Sequence, residues 1–253
     1  MLKMAIRLLI LAFCSGLTNA SAADRLRIAT EDACPPFSFI NEQGQLVGFN
    51  VDIARELCRH LEKDCQIIAV PWNELLSGLM VGRHQMVVAS MAKTPQRERQ
   101  AEFTDFYYRT RNVFIGRRDA GMAQVNPETA HGKILTVQAG TTYADYLRKH
   151  YPMAVLNLTA TSADAFTALS RGEADLTLTD NLSAFAFLRS SAGQELDIIG
   201  APLTIDETGE AAHIQVRKGD IPLRDAVNAA LRKLWLDGAY HRINTRYFPF
   251  SIY

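Results

Sequence analysis

The sequence predicts an α/β protein of two lobes. Strand-like and helix-like segments alternate from Leu26 to Ala89, the same alternation restarts after Tyr108, and 48% of the 253 residues are hydrophobic. Strand, helix and strand in succession call for parallel strands joined by crossovers. Roughly 230 residues can bury a sizeable core, either as one large domain or as two smaller lobes, and the restart favours two lobes.

Residues 1–22 come first. Lys3 and Arg7 precede the apolar run Leu8 to Phe13, and Ala20-Ser21-Ala22 supplies a small-x-small cleavage site, the pattern of a secretory signal peptide cut near Ala22. The run is too short to span a bilayer, and bulky Phe13 argues against lipidation at Cys14. Without Lys3 and Arg7 the chain keeps 25 basic residues against 27 acidic ones, net −2 before histidine. That balance excludes a nucleic-acid partner. No second apolar span follows, so the exported chain is expected to be a soluble protein of the periplasm.

Leu26 to Thr30 alternates like a strand, and Cys34-Pro35-Pro36-Phe37 stops it in a loop. Ile53, Ala54, Leu57, Cys58 and Leu61 recur at helical spacing. Ile67 to Val70 is the next strand. Asn73 to Val81 is a helix that turns Leu75, Leu76, Leu79 and Met80 inward and stops at Gly82. Val87 to Ala89 ends a third strand, Thr94 reads as an N-cap and Pro95 as the first helical residue. Arg97 then falls in the first helical turn, where free N–H groups, the positive end of the helix dipole and the guanidinium converge on one anion.

The second series opens with the strand Ile134 to Val137, which runs into Gly140-Thr141-Thr142 and a helix from Tyr143 to His150. The strand Val155 to Leu158, the helix Ala163 to Ser170 and the strand Ala174 to Thr179 follow. Ile214 to Lys218 reads as a last strand and Leu223 to Trp235 as a last helix. Cys58, late in a helix, and Cys65, at the next strand, enclose a loop that a disulfide can close in an oxidising compartment. Two reduced, buried thiols are the other reading, and Cys34 has no partner.

Ligands of open α/β sheets bind beyond the carboxyl ends of strands. Glu31 follows the first strand, Ser90 and Arg97 the third, Thr141 and Thr142 the first strand of the second series, and Asp180 the strand Ala174 to Thr179. On residue type alone, Arg97 reads equally as a solvated helix residue, Asp180 as an N-cap, Glu31 as a loop carboxylate and Trp72 as core. The histidines at 60, 84, 131, 150, 213 and 241 show no i,i+4 pairing with one another and no cysteine neighbours, so no metal site is expected. No nucleophile elbow, phosphate loop or dinucleotide fingerprint calls for a cofactor.

The stretch Ala89-Ser90-Met91-Ala92-Lys93-Thr94-Pro95-Gln96-Arg97, continued through Glu102-Phe103-Thr104-Asp105-Phe106-Tyr107-Tyr108, resembles the signature of periplasmic solute-binding proteins that feed polar amino acids to ABC transporters. The pattern is similar to the histidine-binding and lysine/arginine/ornithine-binding proteins, from Leu26 to Tyr253. The resemblance implies the type II periplasmic binding protein fold with two hinge crossings, near 109–112 and 203–212. Lobe one is then 23–108 plus 210–253, completed by the returning C-terminal segment, and lobe two is 109–209. It also implies a Cys58–Cys65 bridge.

Transferred to this chain, the family's ligand site assigns Arg97 to the α-carboxylate of an amino acid, with backbone N–H groups near Ala92 and Thr142 assisting beside Thr141. Asp180 takes the α-ammonium with the Ser90 hydroxyl, Trp72 packs against the ligand side chain, and Glu31 faces its cationic end. Cys34 departs from the family, whose tyrosine there stacks on the ligand. Ala92 and Lys93 replace a commoner serine-hydrophobe pair, and an inward Lys93 would repel a cationic side chain. The implied function is capture of a polar, cationic amino acid or derivative by a monomer that closes on it and meets a membrane ABC permease transiently. The rival is a cyclohexadienyl dehydratase-like enzyme on the same fold, with Glu31 or Glu173 as general acid.

Overall fold

A computed structural model describes residues 25–205 and 209–253. The signal-peptide segment, Cys14 and the cleavage site lie outside the described residues.

Strand β1 (Leu26–Thr30) is followed by a small antiparallel sheet where a loop is expected: β2 (Ala33–Cys34), β3 (Ser38–Ile40) and β4 (Leu46–Val47). Helix α1 (Phe49–Leu61) buries Phe49, Ile53, Ala54, Leu57 and Cys58. Next come β5 (Cys65–Ala69), a 3-10 turn at Trp72–Glu74, and α2 (Leu75–Met80). Leu75 and Leu79 are fully buried, but Met80 is 54% exposed, contrary to the inward placement expected. One residue beyond Leu79 the helix has rotated by about 100°, which carries Met80 to solvent.

Strand β6 (Met86–Ala92) runs three residues past its predicted end, so Ser90 and Ala92 lie within it. The one-turn helix α3 (Pro95–Glu98) has Thr94 as N-cap and Pro95 at its start, as the sequence predicts. Then follow β7 (Ala101–Arg109), β8 (Asn112–Arg117), β9 (Ile134–Gln138), α4 (Thr142–His150), β10 (Val155–Thr159), α5 (Ser162–Ser170), β11 (Leu176–Asp180), α6 (Asn181–Leu188) and β12 (Leu196–Leu203). Strand β13 (Ala211–Arg217) and helices α7 (Ile221–Leu236) and α8 (Ala239–Tyr247) end the chain.

The strands form two five-stranded sheets, β5-β1-β6-β13-β7 and β10-β9-β11-β8-β12. The prediction of parallel strands needs one correction per sheet. β13 is antiparallel to both β6 and β7, and β8 to both β11 and β12. Each is the strand the chain enters on arriving from the other sheet, at 109–112 and 203–211. Its start therefore lies where its neighbours end, and it must run against them.

Helices α1, α7 and α8 cover one core, which includes Ile28, Phe49, Leu57, Ile214, Leu231 and Tyr240. Sequence periodicity did not reveal α8, whose buried Tyr240 donates its hydroxyl to the carbonyl of Tyr107 at 2.6 Å. The second sheet has its own core around Leu135, Val137, Leu147, Leu176 and Leu178.

Cys58 and Cys65 are bridged and Cys34 is free. Closing a loop this short stabilises the fold by about 2–3 kcal/mol on the chain-entropy model. In protein made without residues 1–22, alkylation after unfolding without reductant is expected to modify Cys34 alone. Mass spectrometry finding three modified cysteines would reject the bridge.

Candidate ligand-binding site

A cavity of about 100 Å³, partly open to solvent, lies between the two sheets. All nine residues singled out from the sequence line it: Glu31, Cys34, Trp72, Ser90, Ala92 and Arg97 from the first half of the chain, Thr141, Thr142 and Asp180 from the second.

Ser90 has φ +57, a left-handed conformation disfavoured for any side chain. It sits at a bulge, where the register of β13 against β6 shifts between His213 and Gln215. A ring of bonds holds it there. The Ser90 N–H donates to the Tyr107 hydroxyl at 3.0 Å, that hydroxyl donates to Asn50 Oδ1 at 2.7 Å, and Asn50 Nδ2 donates to Ser90 Oγ at 2.9 Å. Asn50 and Tyr107 thus hold Ser90 in place from outside the cavity, a role that the sequence reading assigned to neither.

Arg97 is half-buried, and its guanidinium is aimed by two carbonyls, Ala92 O at 2.9 Å and Gly140 O at 3.4 Å, the second from the opposite sheet. Its charge lies 5.4 Å from the centre of the Trp72 ring. Burial pushes Arg97 down to about 10, opposed by the nearby charge of Asp145, so it stays cationic at neutral pH. Among the described residues no carboxylate forms an ion pair with it. A desolvated cation held by neutral carbonyls attracts an anion strongly. The expected anion site at the start of α3 is therefore mainly the Arg97 side chain, because the helix ends after four residues.

Trp72 donates its indole N–H to Gly140 O at 3.0 Å and lines the cavity, while its half-buried ring also packs against the core around Leu75 and Leu79. Gly140 turns at φ +71, which an L side chain rarely adopts. It brings its carbonyl to both Trp72 and Arg97 just before α4. There Thr141 caps α4, its hydroxyl accepting from Ala144 N at 3.2 Å.

Asp180 is the N-cap of α6, and its Oδ1 accepts from Leu182 N at 3.0 Å and Ser183 N at 2.8 Å. Both bonds use one oxygen. The Ser183 side chain also approaches the carboxylate, and Asp180 lines the cavity. Burial raises the Asp180 carboxyl above its usual range, against the pull of the Ser183 and Leu182 amides, so a cation beside it would be stabilising.

Glu31 is 4% exposed, not the open loop carboxylate its position allows. Burial pushes its carboxyl up to about 7, opposed by a hydrogen bond from Gln138 and reinforced by Asp32. Gln138, another residue the sequence reading passed over, crosses from the second sheet to donate to Glu31 at 2.5 Å. Burial, together with the charges of Glu31 and Asp180, raises the Cys34 thiol well above its ordinary value, so it stays neutral. Ser162 adds a further link across the cleft, donating to Ala33 O at 3.0 Å. Lys93 turns away to pair with Glu98 at 3.2 Å and does not line the cavity. Glu173 is exposed at a turn beside Arg171, also off the cavity.

Glu56, His60 and Asp237 come within 4.8 Å of one another on the surface. The Arg59 guanidinium already fills that cluster, 2.6 Å from Glu56 and 3.2 Å from Asp237.

The model of the bacterial extracellular solute-binding proteins, family 3, matches residues 26–250. The chain belongs to that family. This family 3 protein is 30% identical to the histidine-binding periplasmic protein of Escherichia coli, over 97% of its own length and 96% of the relative's. It is 32% identical to an L-arginine-binding protein of Pseudomonas aeruginosa, over 92% and 91%. Among solved structures, an ancestral arginine-binding protein bound to arginine superposes with a TM-score of 0.82 at 28% identity, over 89% of this chain and 98% of that one. An ancestral amino-acid-binding protein, described as a precursor of cyclohexadienyl dehydratase, superposes with a TM-score of 0.79 at 25% identity, over 89% and 96%. Among its described residues the family 3 chain has no helix long and apolar enough to cross a membrane.

Proposed function

We propose that this chain captures a free amino acid with a cationic side chain in the periplasm and presents it, lobes closed, to an ABC permease. One observation carries the reading. Arg97 from the first half of the chain and Asp180 from the second line a single cavity, one a desolvated cation and the other a buried carboxylate. An amino-acid head group is a zwitterion that needs both at once. Glu31 in the same cavity offers a further negative charge for the ligand side chain, while Lys93 is held outside by Glu98.

Because contacts to the head group come from both halves, they exist only when the halves approach, and ligand shifts the population towards the closed form. The names of the relatives support an amino-acid ligand and a periplasmic site of action. A thermal-shift screen of the standard amino acids and their derivatives tests the reading. Stabilisation by lysine, ornithine, arginine or histidine is expected, and none by acidic amino acids.

Turnover is the second reading, favoured by one observation: a buried carboxyl near pH 7, as Glu31 has, suits a general acid. Glu173, off the cavity, is no longer a candidate. Binding without conversion is expected, because Asp180, the other carboxyl of the cavity, is engaged as the N-cap of α6. Purified protein incubated with prephenate or arogenate should yield no product by chromatography. Conversion abolished by Glu31→Gln would promote the enzyme.

A further inference from the structure

The chain crosses between the halves at 109–112 and 203–211, joining strands at one side of each sheet: β7 and β13 in the first, β8 and β12 in the second. Strands β5 and β10 are the opposite edges. Each of these edge strands is followed by a side chain that reaches over the cleft. After β5, Trp72 donates its indole N–H to the carbonyl of Gly140, just past β9, at 3.0 Å. After β10, Ser162 donates its hydroxyl to the carbonyl of Ala33, just past β1, at 3.0 Å. The pair is reciprocal, since each half gives one side-chain donor and one backbone acceptor, and each acceptor follows the strand next to the edge.

Rotation of one half against the other moves groups in proportion to their distance from the crossings. Bonds at the far edges are therefore the first to break on opening and the last to form on closing. An indole and a hydroxyl carry one donor hydrogen each, and both hydrogens are used on main-chain oxygens. What these bonds stabilise is closure itself, whatever lies in the cavity.

We propose that Trp72 and Ser162 are positioning residues that clasp the cleft on the side away from the hinge crossings, setting how tightly the protein holds every ligand without choosing among them. The inference rests on capture by closure as read above. A group that touches the ligand side chain changes affinities unequally, whereas a bond between the halves scales all of them by one factor.

Titration calorimetry and stopped-flow binding of wild type, Trp72→Phe, Ser162→Ala and the double variant with arginine, lysine and histidine test it. Phenylalanine keeps an aromatic ring without the N–H donor. Alanine removes only the hydroxyl, and α5 keeps its cap because the N-cap is Thr161. Each single variant is expected to raise Kd about fivefold, the net worth of one hydrogen bond, and by the same factor for every amino acid that wild type binds. The double variant should lose about 25-fold, since the two bonds share no partner. The loss should lie in the dissociation rate, with association unchanged, because the bonds form after the ligand has entered. Ser162→Ala carries the test if Trp72→Phe lowers the melting temperature. Unequal losses among the ligands, or a Kd unchanged in either single variant, overturn the clasp and leave the amino-acid site standing. Wild type binding none of the three overturns both.

Discussion

Arg97→Ala is expected to weaken ligand binding by roughly 2–5 kcal/mol, the range for removing one partner of a desolvated, hydrogen-bonded charge pair. The guanidinium is held by the carbonyls of Ala92 and Gly140 and flanked by Trp72, so its position is set before a carboxylate arrives. Alanine removes the charge and also the cross-cleft bond to Gly140, which weakens both the contact and the closed arrangement. Arg97→Lys restores the charge without the planar fork, and an intermediate loss is expected. Isothermal titration with the ligand found by thermal shift measures both variants. Affinity unchanged in Arg97→Ala would show that the α-carboxylate binds elsewhere.

The second large effect is one of pH. A cation can use Glu31 only as a carboxylate, yet burial holds a proton on this group up to about 7. Below that pH, binding a cationic side chain must expel the proton, and affinity falls about tenfold for each unit. Between pH 7 and 5 the expected loss for ornithine is about 50-fold, while neutral citrulline should change little. Glu31→Gln should flatten the ornithine profile and bind it more weakly at pH 8. A flat profile in wild type would remove Glu31 from the side-chain pocket. The same proton acts on stability with a definite sign. Between 4.5, the value of an ordinary glutamate, and 7 the folded chain holds a proton that the unfolded chain has released. Glu31 therefore lowers stability as pH rises through that window, by up to about 3 kcal/mol.

The alternation of strands and helices was legible from the sequence because burial on one face imposes a period that local residues carry. Features fixed by distant partners were not. The strand at Ile214 to Lys218 was readable and the family resemblance returned it to the first lobe, but no pattern within 101–109 announces that β13 lies between β6 and β7. The hairpins of β2 to β4 are too short for a period. At the site, the ends of β1, β6, β9 and β11 were readable as strand ends, which is why the residues named there fall around one cavity. The left-handed turn at Ser90 was hidden, since serine carries no sign of it and its support, Asn50 and Tyr107, comes from other elements. Gln138 was hidden for a related reason: its partner lies on the opposite sheet, and only closure of the two halves brings Glu31 within reach.

The late arrival of β13 also orders events during synthesis. The second sheet has all five strands once residue 203 is made, but the first has β6 and β7 with an unfilled gap between them until residue 217. A nascent chain halted between those points carries one finished half and one half with two open strand edges, and it lacks the α7 and α8 cover over Ile28, Phe49 and Leu57. Open edges and bare apolar faces are what drive strand addition between copies. The tail of this chain is thus the closing piece of the half made first, and until it is in place that half is the sticky part of the molecule.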